Sequence, residues 1–125
     1  MNEEESELTG LKERTKAFAL RIIKLYSSLP ESVVAQVIGK QVLRSGTSVG
    51  AHYREATRAR STAEFVSKIG GGLQELEESA YWLELLVDAN VVAMDKLSDL
   101  LKETDELTAI LTTCSKNAKR GGDAK

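Results

Sequence analysis

Reactive side chains are scarce in this chain of 125 residues, which has one cysteine, Cys114, and one histidine, His52. A lone cysteine cannot close an internal disulfide, so the expected compartment is the cytoplasm. His52 has no second histidine and no histidine–acid ligand spacing beside it, which leaves little material for a metal site. Proline occurs once, at Pro30, so long stretches are free to be helical, and aromatics at 5% argue against a strand-rich fold. No apolar run reaches the roughly 18 residues of a transmembrane helix. The start, Met1-Asn2-Glu3-Glu4-Glu5, is acidic where a secretory leader would be basic and then apolar.

Charge is present in both signs but unevenly spread. The net charge is −2, yet residues 11–30 hold five bases against one acid and residues 31–60 hold five against two. Residues 61–94 reverse this, with one base and six acids. A basic first half therefore faces an acidic third quarter. Such asymmetry suits a polyanion-binding surface, and it equally suits complementary faces within one bundle or between copies of it.

Apolar spacing predicts four helices. Leu11, Phe18, Ile22, Leu25 and Leu29 recur at threes and fours in a first segment, with Lys12, Lys16, Arg21 and Lys24 mostly off the stripe. Pro30 closes that segment. In the second, Val34, Ile38, Val42, Ser45, Val49, His52 and Ala56 keep the period through Ser45-Gly46-Thr47-Ser48, so one helix passes through. Each interior glycine costs about 1 kcal/mol against alanine. Gly39, Gly46 and Gly50 share a face, however, and small residues let another helix approach closely. Ser61-Thr62-Ala63-Glu64 reads as a capping box opening the third helix. There Phe65, Ile69, Leu73, Leu76, Ala80, Leu83 and Val87 run close to a heptad seam. Gly70-Gly71-Gly72 inside this helix marks a close crossing or a local deformation; a phosphate loop would need a preceding strand and another glycine spacing. The end of the third helix, from Ala80 to Val87, is apolar nearly all round, more than three neighbours can cover, so a second subunit is expected on it. Asp88-Ala89-Asn90 breaks it, Asp95 is placed to cap the fourth, and Leu97, Leu100, Leu101, Leu107, Ile110, Leu111 and Cys114 line that helix's inner face.

The expected fold is therefore all-α, an antiparallel up-down-up-down four-helix bundle with helices at about 8–28, 31–59, 62–89 and 95–116. A flexible acidic segment at 1–7 and a disordered tail at 117–125 complete the expectation.

The stretch from Leu43 to Ala56, LRSGTSVGAHYREA, together with Ala59-Arg60-Ser61-Thr62-Ala63-Glu64-Phe65 and Glu75 to Leu86, closely resembles the 23S rRNA intervening-sequence proteins. Leu25 to Pro30 also fits, while His52 stands where relatives typically carry asparagine. The resemblance implies a bacterial cytosolic four-helix bundle assembled as a ring, with pentamers the expected state. A related branch is the accessory protein of diversity-generating retroelements, which binds a reverse transcriptase and nucleic acid. Catalysis is not implied.

Two groups of candidate site residues follow. Lys40, Arg44, Arg54, Arg58 and Arg60 form the candidate nucleic-acid-binding set, since repeated guanidinium groups bind phosphates with salt-sensitive affinity. The competing reading pairs these arginines with Glu55, Glu64 or a neighbour's acids. Gly46, Gly50, Tyr81, Trp82 and Leu85 form the candidate oligomer interface. Tyr81 and Trp82 lack interleaved basic residues, which favours apolar packing over stacking on bases. Cys114 falls on an apolar stripe and reads as a small hydrophobe. Glu75, Glu77, Glu78 and Glu84 lack the Glu-x-x-His pairs of a di-iron bundle. No nucleophile, base and orienting group can be assembled, so the expectation is a non-enzyme. No cofactor, membrane or small-molecule substrate is expected. The expected partners are further copies of the chain, RNA or DNA, and a protein.

Overall fold

Serine hydroxyls mark the starts of the two central helices. In the computed structural model, the Ser32 side chain accepts from the Ala35 backbone N–H at 3.2 Å, and the Ser61 side chain accepts from that of Glu64 at 3.0 Å. Both serines hold extended backbone, as a cap requires. The box at Ser61 closes one residue early, because Glu64 Oε2 accepts from the Arg60 N–H at 3.3 Å.

The structure describes the backbone of residues 3–123 and side chains over 10–121. The helices are α1 (Glu3–Ser28), α2 (Val33–Thr57), α3 (Thr62–Asp88) and α4 (Met94–Asp123), with no strand among the described residues. Of the ends expected to lack structure, residues 1, 2, 124 and 125 lie outside the described residues. The outer helices run further than apolar spacing indicates, whereas α2, Val33–Thr57, is shorter than the expected 31–59 because Ser32 caps it. α1 starts at Glu3 in place of residue 8, and α4 reaches Asp123 in place of residue 116. Helical periodicity reports burial, whereas a helix completes its own backbone hydrogen bonds without an apolar stripe. Asp95 lies inside the first turn of α4 and is not its cap, where it still favours the positive end of the helix dipole. α3 ends in a Schellman motif: Val91 N–H reaches the Leu86 carbonyl and Asn90 N–H that of Val87, each at 2.9 Å. Asn90 takes φ 61°, a left-handed conformation that asparagine tolerates better than most residues.

Both glycine-containing stretches are helical throughout, as the spacing predicts. On α2 the glycines face α1. A Cβ added at Gly46 would lie 2.7 Å from Ile22 Cγ1, and one at Gly50 3.3 Å from Thr15 Oγ1. On α3 the triplet divides. A Cβ on Gly71 would meet the His52 ring at 2.8 Å, one on Gly72 would make ordinary contact with Leu111, and one on Gly70 would meet nothing within 4 Å. The triplet is thus a close crossing of α2 over α3 at one of its three positions, Gly71.

Each helix runs antiparallel to the next. α1 packs on α2, α2 on α3 and α3 on α4, whereas α1 only grazes α4. α1 and α3 do not meet, so they stand diagonally across the bundle. Phe18, Ile22, Val42, Val49, Tyr53, Ile69, Leu76, Leu83, Leu86, Leu107 and Leu111 fill the centre. Each such burial contributes about 1.5–3 kcal/mol. Thr15 and Thr104, also buried, return their hydroxyls to the Leu11 and Leu100 carbonyls at 2.8 Å.

Candidate interaction surfaces

The antiparallel register of α2 and α3 places the basic candidates. Ser45 and Ser79 hydroxyls meet across this seam at 2.8 Å, and Lys68 Nζ meets Glu55 Oε2 at 2.8 Å nearer the turn. Beyond that ion pair, the end of α2 and the start of α3 bring Arg54, Arg58 and Arg60 around one shallow hollow with Glu55, Glu64 and Lys68. Four bases against two acids leave the hollow net positive. Glu55 is taken by Lys68, and that ammonium lowers the carboxyl's pKa while its own rises. Among the described residues, Arg54, Arg58 and Arg60 make no ion pair and remain exposed.

Arg44 and Lys40 do not join them. Arg44 lies further along α2 and is committed to α3, with Nη1 3.2 Å from Glu75 Oε2 and Nη2 bonded to Glu78. The Glu78 hydrogen bond and the Glu75 charge raise its pKa. Arg44 is thus paired within the chain, with Glu75 and Glu78 in place of Glu55 or Glu64, while Arg54, Arg58 and Arg60 have no ion pair among the described residues. Lys40 is exposed, between the apolar start of α2 and Arg44. Lys68 belongs to the basic hollow and was absent from the sequence candidates. Its signal was available, since it is the single base of residues 61–94 and follows Glu64 by one helical turn.

The five interface candidates divide as well. Gly46 is buried against α1 of the same chain and so is not presented to a partner, and Gly50, half-buried, also faces α1. The correction has a simple cause: a small-residue strip permits close approach by any helix, and here the chain's own α1 uses it. Tyr81, Trp82 and Leu85 stay at the surface of α3. Tyr81 is exposed, and its ring meets that of Trp82 edge-on with centroids 5.1 Å apart. Trp82 and Leu85 are half-buried, while Leu83 and Leu86 turn fully inward. At the start of α2, Val33, Val34 and Val37 are exposed. The seam register sets this end of α2 beside the last turn of α3 and the turn at Asn90. Trp82 Nε1 and His52 Nδ1 are buried without a hydrogen-bond partner, and both lie along the same α2–α3 seam.

The seam between α1 and α4 is built differently. Arg14 forms a fork to Glu103, Nε at 2.8 Å and Nη2 at 2.6 Å, and reaches Glu106 at 2.9 Å. That guanidinium lowers the Glu103 pKa below the usual carboxylate range. Beyond it lies an open groove lined by Leu11, Ala109, Ile110, Thr113 and Cys114. Cys114 is half-buried there, and burial followed by the nearby Cys114 pushes the Tyr53 phenol up to about 12. Among the described residues, no group of three or more His, Cys, Asp or Glu side chains is placed to hold a metal ion. Among the described residues, no helix is long and apolar enough to cross a membrane.

Known proteins resemble the whole of this arrangement. The family model for "23S rRNA-intervening sequence protein" matches residues 10–113. A crystal structure from Bacteroides thetaiotaomicron VPI-5482, described as a protein with unknown function from the S23 ribosomal protein family, superposes with TM-score 0.82 at 36% identity. The match covers 87% of this chain and 97% of that one. A comparison with curated proteins finds no match. From the family match across all four helices and a relative that shares their arrangement, the chain belongs to the 23S rRNA-intervening sequence protein family.

Proposed function

We propose that the protein is a non-enzymatic scaffold that acts as a homo-oligomer, with five copies the state its family resemblance implies. The observation that carries this reading is the apolar surface left in water at the start of α2 and, separately, on the outer faces of α1 and α3, where Leu20, Ile23 and Tyr81 are exposed. Val33 is 78% exposed, Val34 and Val37 more than half, and Tyr81 53%. Single exposed apolar residues are ordinary, but a cluster on a small protein marks a contact surface. Light scattering at micromolar concentration is expected to give a stable multiple of the 13.6 kDa chain mass. A single-chain mass overturns the proposal.

A second reading rests on a separate observation, the three guanidinium groups of Arg54, Arg58 and Arg60 that face solvent without a carboxylate. In this reading the protein is a nucleic-acid-binding accessory module, for example to a reverse transcriptase, and every copy repeats the basic hollow. Fluorescence anisotropy with structured RNA and DNA is expected to show binding that weakens steeply with salt. Conversion of the three arginines to alanine should abolish it; unchanged binding in that variant removes this reading.

A further inference from the structure

Most ion-pairing capacity on the central seams is used within the chain. Arg44, Lys68 and Arg14 each hold a carboxylate. Two outer faces are different. On α1, Lys16, Leu20 and Lys24 follow one another at single-turn spacing with Ile23 beside them, and Leu20 and Ile23 are 56% and 43% exposed. On α3, Glu77, Tyr81, Glu84 and Asp88 repeat the pattern with the opposite charge around an exposed aromatic. Among the described residues, none of these lysines or acids makes an ion pair. Among the described side chains, Glu13 is the one acid on the outer face of α1.

We propose that copies of this chain join through the outer face of α1 in one copy and the outer face of α3 in the next, the Leu20–Ile23 pair meeting Tyr81 between flanking lysines and acids. The inference rests on the oligomeric reading above and names its contact. Complementarity supplies the occupant: each strip is charge, apolar, charge, with the signs reversed, and a second copy carries the matching strip in every molecule. Topology supplies the symmetry. α1 and α3 are diagonal, so the two strips face away from each other and cannot both be satisfied in one two-fold contact. The contact is heterologous, and it repeats head to tail around a ring. An apolar centre with a charged rim is also how protein interfaces are commonly built.

The test is charge reversal with rescue inside one chain. Lys16→Glu with Lys24→Glu should reduce the light-scattering mass to that of one chain, as should Glu77→Lys with Glu84→Lys. All four changes together restore opposite signs across the contact and should restore the parent mass. Circular dichroism confirms that each variant is helical. Should a reversed variant fail to fold, Lys16→Ala with Lys24→Ala reads the same contact as at least a tenfold rise in the dissociation constant. Reversals that leave the mass unchanged, or a fourfold variant that stays a single chain, overturn this contact while leaving the oligomer intact. A parent chain that is itself monomeric overturns the oligomeric reading and this contact with it.

Discussion

α1 lies between two seams that could hardly differ more. Toward α2 it meets Gly39, Gly46 and Gly50, and Ile22 sits in the space a side chain at Gly46 would occupy. Toward α4 contact is sparse, and the seam is held by Arg14, Glu103 and Glu106 with an open groove lined by Leu11, Ala109 and Cys114 beyond. The first seam is closed by shape, the second bridged by charge. Dispersion and apolar burial grow with closeness of approach, whereas an exposed ion pair in high dielectric contributes little. The same helix is therefore anchored on one side and loosely tethered on the other.

The sharpest way to break the contrast is at Ile22, which is fully buried. Ile22→Ala should cost about 3 kcal/mol in urea unfolding, from lost burial and the cavity left behind. It should also reverse the effect of a change beneath it. Gly46→Ala overpacks the parent seam and is expected to destabilise by about 1 kcal/mol net. In the Ile22→Ala background the methyl has room, and the better helix propensity should make the same change stabilising by about 1 kcal/mol. The same sign in both backgrounds would show that the seam is not closed by this contact.

Alkaline titration probes the other side. Tyr53 is 1% exposed, and its phenol is raised from 10.0 to about 12 in the folded chain. The folded state favours the neutral phenol, so this contribution is complete below about pH 10 and is lost as pH climbs toward 12. The loss is about 2–3 kcal/mol at most. Tyr53→Phe should flatten that part of the stability curve relative to the parent; parallel curves would place the hydroxyl outside the folding balance.

The glycine triplet offers a smaller test of closure by shape on the α2–α3 seam. Gly70→Ala meets nothing and should stabilise by about 1 kcal/mol, while Gly71→Ala runs into His52 and should destabilise. Replacing His52 with alanine should remove the penalty at Gly71 and leave the gain at Gly70 unchanged. The smallest effect belongs to the bridged seam. Arg14→Gln should cost less than about 1 kcal/mol, since the guanidinium is more than a third exposed. The Glu103 carboxyl is held below its ordinary 4.5, so the pair's contribution is full above about that pH. It fades as pH falls through the lowered value. Thermal melts in which the variant falls slightly below the parent at pH 7, with the gap narrowing as pH drops below 4.5, are the expected result.

The sequence alone determined that four helices form and where the inner ones turn. Period, the capping box at Ser61, Pro30 and Asn90 are local signals, and local backbone physics acts on them directly. It also marked Gly46 and Gly50 as places of close approach, because absent side chains permit it, and Arg54, Arg58 and Arg60 as neighbours, because one turn of helix and one short turn keep them together. Only the tertiary structure decided who approaches whom. Whether a glycine strip receives α1 or another molecule depends on how the helices are arranged around the core. Which acid neutralises which arginine depends on the α2–α3 register: it gives Arg44 to Glu75 and Glu78, gives Glu55 to Lys68, and leaves three guanidinium groups facing water. Helix ends outside the core were likewise unreadable from apolar spacing, because a helix needs no buried face to complete its own hydrogen bonds. Charge and small size are one-residue properties and can be read along the chain. Pairing and occupancy belong to two residues distant in sequence, and only the fold brings them together.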